Sequence, residues 1–148
     1  MFGPVYVVLA LVAGAALAVQ AAINGRLSQA TGNAVTAGVI SFGVGLACLL
    51  AGMVVLRIRI PAASTLGALP VWVWCGGAFG AVYVALAILA VPKLGTAALI
   101  AFLVAGQMAA SLALDHFGAF GLAEQSINVW RVLGAVLLTA GVVLIRTF

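Results

Sequence analysis

Five stretches of this chain are apolar for about as long as a helix needs to cross a bilayer, roughly 20 residues. They cover 4–23, 34–56, 71–91, 96–114 and 129–145. Each is bounded by a proline, a charge or a polar turn. Pro4 suits a first helical turn, Arg57 and Arg59 close the second run, Pro70 and Pro92 bracket the third, Asp115 ends the fourth and Arg146 the fifth. The composition has the same cause: 67% of residues are hydrophobic and 5% charged, against about a quarter charged in a soluble domain. The chain has too few water-seeking groups to cover a soluble surface. The expected fold is an all-α integral membrane protein with five transmembrane helices in one domain over residues 1–148.

Other classes fall away on the same residues. The net charge of +4 comes from six basic and two acidic side chains, and no basic stripe suggests nucleic acid. Cys48 and Cys75 lie in apolar runs without metal-site spacing and read as buried thiols. The first run lacks a basic leader and is long for a signal sequence, so it reads as a retained span. Trp72, Trp74 and Trp130 stand at helix starts, where indoles favour the headgroup region.

The predicted links are 24–33, 57–70, 91–95 and 115–128. The first reads as a polar turn and the third as a tight hairpin. The last holds Phe117 and Phe120 among glycines, which suggests a short interfacial turn. Small residues recur every four positions at Ala10, Gly14, Ala18 and Ala22, at Gly43, Ala47 and Ala51, and at Gly76 and Gly80. Such stripes let helix backbones approach in lipid.

Five spans put the termini on opposite sides. One side then carries Arg57, Arg59 and Arg131, the other Arg26, Lys93 and Arg146, three against three. Positive charge near span ends sets orientation, and here it sets none. Insertion both ways would allow two copies to pair about an axis in the membrane plane, an antiparallel homodimer of ten helices resembling the inverted repeats of secondary transporters. The alternative is one fixed topology with a different partner chain.

Polar side chains inside a membrane point toward partners or water. Gln20 and Asn24 share one helix face. Gln107, Ser111 and Asp115 share another, at i, i+4 and i+8. Ser41 and Tyr83 add polar tips. If these faces converge, amides and hydroxyls would line a pathway for a small solute. The plainer reading is interhelical hydrogen bonding, about 1 kcal/mol each. Arg131 stands at a helix start, where the macrodipole disfavours a cation, so a carboxylate partner is expected, Asp115 or Glu124. Asp115 is then either a structural ion pair or a titrating group coupled to proton flow, with His116 as a possible relay. Catalysis is not expected: His116 points about 100° away from Asp115 on a continuing helix, and no metal spacing, phosphate loop or cofactor motif occurs.

Several stretches carry a family resemblance: "AVQAAINGRLSQATGNAVTAGVISFGVG", "GGAFGAVYV", "PKLGTAALIAFLVAGQMAASLALDHFGAFGL" and "RVLGAVLLTAGVVL". They resemble the YdcZ-type branch of the drug/metabolite transporter superfamily over nearly the whole chain. The resemblance implies a multi-pass protein of the bacterial inner membrane, whose relatives occur singly, as gene pairs or as fused ten-span proteins. Four-span cousins, the small multidrug exporters, carry a glutamate in the first helix for proton exchange. Here that helix has Gln20 and Asn24 and no acid, which argues against proton-coupled export of cations. The resulting expectation is a secondary transporter of a small organic, neutral or zwitterionic solute, working as an inverted dimer by alternating access. A passive channel and a non-transporting scaffold are the rivals.

Overall fold

Gly32 and Asn33 make up the whole of the first interhelical connection. In the computed structural model, which describes residues 3–121 and 123–148, helix α1 runs Pro4–Thr31. The polar stretch after residue 23, expected as a turn, is helical. Its one internal glycine, Gly25, costs about 1 kcal/mol relative to alanine. Its neighbours Arg26, Leu27, Gln29 and Ala30 are good helix formers. The break comes where the chain needs a left-handed residue, Gly32 at φ 71°. Asn33 then caps α2 (Ala34–Val55), its Oδ1 accepting from Val35 N at 2.8 Å and Thr36 N at 3.1 Å. At 28 residues, α1 is about 42 Å long. It exceeds the apolar thickness of a bilayer, about 30 Å, and its last two turns carry Arg26, Ser28, Gln29 and Thr31.

A short helix, α3 (Ala63–Gly67), interrupts the next link. A 3₁₀ turn over Val71–Cys75 leads into α4 (Gly76–Leu94). Pro92 was the expected stop, but α4 runs through it. The ring removes one amide hydrogen bond near the helix end, where such bonds matter least. The stop is Gly95, at φ 76°, so the expected hairpin shrinks to one residue before α5 (Thr96–His116). One 3₁₀ turn at Ala119–Gly121 follows, with Phe120 at φ 59°, and α6 spans Val129–Thr147. Five helical segments are long and apolar enough to cross a membrane: Pro4–Thr31, Ala34–Val55, Val71–Leu94, Thr96–His116 and Val129–Thr147.

The chain divides into two compact units, Met1–Lys93 and Leu94–Phe148. In the first, Ala34 and Ala37 of α2 pack on Val84 and Ile88 of α4, with Leu27 and Tyr83 against them. Ala37 and Ile88 are essentially inaccessible, at 0% and 1% exposure. A Cβ added to Gly25 would lie 2.5 Å from Val91 Cγ1. Gly25 therefore serves close approach of α1 to α4 rather than a turn. The expected small-residue stripes make little of this contact: nothing lies near a Cβ added at Gly14, Gly43 or Gly76. The close packing uses Ala21, Gly25, Ala34, Ala37 and Gly38 instead, all buried. In the second unit, α5 packs against α6.

Most large apolar side chains face outward, as they do when lipid is the solvent. This corrects the reading of the cysteines. Cys48 and Cys75 are free and exposed, because an apolar run in a thin bundle presents much of its circumference to lipid rather than to protein.

Candidate functional site

Between α1 and α4 the first unit holds a crevice. Leu17, Gln20, Ala21 and Asn24 form one helix face by their i, i+3, i+4 and i+7 spacing. They oppose Tyr83, Val84, Ala87 and Ile88. Ala21 and Ala87 are buried and keep the two backbones close. The crevice runs from the middle of both helices toward their C-terminal ends. Its volume open to the centre of a water molecule is about 10 Å³, about one water's worth.

Asn24 is the polar side chain drawn into this packing, at 4% exposure. No other described residue offers its amide a hydrogen bond. Yet among the described residues no fully enclosed polar side-chain atom lacks a partner. The Asn24 amide therefore still borders the open space of the crevice. Gln20 stands exposed at the rim, and Tyr83 is half-buried in the lining. An amide here can both donate to and accept from a polar group of a ligand without a fixed charge.

The second unit contains a different polar arrangement, where α5 ends and α6 begins. Asp115 and His116 lie in the last turn of α5. Arg131 Nη2 donates to Asp115 Oδ2 in an ion pair whose side chains are 25% and 29% exposed. Arg131 Nη1 donates to the Gln125 carbonyl at 2.7 Å, and Gln125 N donates to the Asp115 carbonyl at 2.8 Å. Ile127 N donates to His116 Nδ1 at 3.4 Å. Asn128 caps α6, its Oδ1 accepting from Arg131 N at 3.0 Å. Of the two carboxylates open to Arg131 on sequence grounds, Asp115 is the partner. The pair and the Gln125 carbonyl offset the cation's unfavourable place at a helix start.

A family model described as "Putative inner membrane exporter, YdcZ" matches residues 5–144. The chain belongs to the YdcZ family. No curated protein and no solved structure matches it. Membership supports a multi-pass inner-membrane protein with a role in transport, and the YdcZ match reaches into all five candidate spans.

Within this YdcZ chain, the sequence-derived residues separate. Gln20, Asn24 and Tyr83 meet at one crevice. Ser41, half-buried on α2, is outside its lining. Gln107 and Ser111 belong to α5 in the other unit and are exposed. Ser111 Oγ donates back to the Met108 carbonyl at 3.0 Å, a bond within its own helix. Among the described residues no cluster of His, Cys, Asp or Glu could hold a metal ion. The sequence reading missed Gly25, taken as a turn residue. The signal was present: Ala21 and Gly25 are four apart, the spacing of small residues at a close helix contact.

Proposed function

We propose that this protein is a secondary transporter that moves a small organic, neutral or zwitterionic solute across the bacterial inner membrane. Its working unit is an inverted two-fold dimer that alternates access. The observation that carries the reading is Asn24, withdrawn from the surface yet without a hydrogen-bonding partner among the described residues. An amide that borders a crevice with its donor and acceptor uncommitted among the described residues can take both roles toward a polar solute. Gln20 and Tyr83 flank the amide and add donors and acceptors.

The dimer follows from the three-against-three distribution of Arg and Lys and from the thinness of a five-helix subunit. A second, inverted copy would double the polar groups available near the midplane, the usual place for a transporter's site. The family's description as exporters supports an outward direction. The absence of any acid on α1 gives no support to proton exchange there.

The test is a thermal-shift screen of purified protein against amino acids, small amides and polyols. Counterflow of any hit in proteoliposomes follows. A carrier gives saturable uptake and counterflow, and Gln20→Leu weakens both shift and uptake. A channel gives uptake without counterflow. A scaffold gives neither, and Gln20→Leu changes nothing.

A further inference from the structure

We propose that the crevice between α1 and α4 selects an uncharged solute carrying a primary carboxamide, which pairs with the Asn24 side chain through two hydrogen bonds. This rests on the transport reading above and names the chemical class of its solute. The crevice belongs to the first unit alone, since its whole lining comes from α1 and α4 within residues 1–93. Every side chain in that lining is neutral. Residues 1–93 contain no Asp or Glu, and Asp115 of the other unit is engaged by Arg131. The nearest cations along α1 and α4 are turned elsewhere. Arg26 is exposed and donates to Gln29 Oε1 at 3.2 Å, and Lys93 is exposed in the last turn of α4. A charged headgroup in the crevice would leave water without meeting a counter-charge, which is costly. That excludes a carboxylate, an ammonium group and the doubly charged headgroup of an amino acid.

Asn24 narrows the neutral class. Its side chain is 4% exposed and carries an NH₂ donor and a carbonyl acceptor side by side. A ketone or ester only accepts, and fills the donor alone. A hydroxyl has its donor and acceptor on a single oxygen, which cannot meet both sides of the amide at good angles. A primary carboxamide presents the complementary pair in one plane, so both bonds form at once. Leu17, Val84 and Ile88 give the solute's carbon chain an apolar wall, and the buried Ala21 and Ala87 set the width between the helices. The space open to the centre of a water molecule is about 10 Å³, so the headgroup enters as α1 and α4 part.

The test compares solutes built on one three-carbon chain: propionamide, its N,N-dimethyl derivative, propionate, propylammonium and alanine. Each is assayed by thermal shift of the purified protein and by counterflow in proteoliposomes. Propionamide should raise the melting temperature and drive counterflow. The N,N-dimethyl derivative keeps the carbonyl but has no N–H, and should bind about 10-fold more weakly, the scale of one hydrogen bond in an enclosed site. The three charged solutes should be weaker still. Asn24→Leu should abolish the preference for propionamide. Alanine or propylammonium binding as well as propionamide would overturn the class and leave the transport reading standing. Equal binding of the N,N-dimethyl derivative would overturn the two-bond pairing, and propionamide binding untouched by Asn24→Leu would overturn its place in this crevice. No response to these five, with hits among other solutes, would overturn the class alone. No response to any solute would overturn the class together with the transport reading.

Discussion

Asn24 and Asp115 are both polar side chains held partly or wholly out of water, and the protein treats them in opposite ways. Asp115 sits in a closed ring of partners: Arg131 takes its carboxylate, Gln125 takes its carbonyl, and Arg131 returns to Gln125. Asn24 is far more buried and has no partner among the described residues. Filled bonding capacity marks a group that holds structure together, because every bond it makes is already spent within the fold. Unfilled capacity on the edge of a cavity marks a group that something else completes. On that criterion the clasp between α5 and α6 is structural and the crevice between α1 and α4 is the place for a ligand.

The comparison can be broken at the clasp first. Asp115→Ala leaves the Arg131 guanidinium at a helix start without its carboxylate. The expected loss is about 2 kcal/mol, between the surface and the fully buried limits, read by thermal unfolding in detergent. Arg131→Met should cost a similar amount, and the double variant less than the sum of the two. Solute exchange per folded molecule should stay within about 2-fold of the parent, since the clasp carries no proton in this account. Exchange abolished by Asp115→Asn with stability intact would make Asp115 a coupling group and reverse the assignment.

The close contact of α1 with α4 gives the next effect. Gly25→Ala places a methyl group against Val91. Overpacking costs about 1–3 kcal/mol, offset in part by the better helix propensity of alanine, worth up to about 1 kcal/mol. Val91→Ala in the same chain should restore stability. A Gly25→Ala protein of unchanged stability and exchange would show that α1 and α4 do not close on each other as described. The smallest effect is at the α6 cap. Asn128→Ala should cost about 1 kcal/mol and leave exchange unchanged, which confines that corner to structure.

How far the sequence reached depends on what kind of signal each feature leaves. The five spans were legible because lipid demands a long unbroken apolar run, and nothing else in the chain competes with that pattern. The ends were less so. Residues 24–31 are mostly polar or glycine, and that was taken for a turn, while the helix needs only that no residue break it before Gly32. Pro92 was taken for a stop, although a proline near a helix end removes little. Asn24 was legible as a polar residue in an apolar run. Its burial was not, because that depends on Gly25 letting Val91 approach, a contact between residues far apart in the chain. The partner of Arg131 was narrowed to two carboxylates by the helix dipole, and only the contacts of Arg131 in the folded chain decide between them. The two cysteines were misplaced because apolar neighbours in sequence mean lipid as readily as protein.

The most direct measurement pairs thermal unfolding with solute counterflow for Asn24→Leu, a change close in size that removes only the amide. With no hydrogen bond to another described residue, the Asn24 side chain should be dispensable for folding. The melting temperature should hold, while counterflow falls at least 10-fold. A lower melting temperature with counterflow intact would mean that Asn24 ties helices together and that the ligand binds elsewhere.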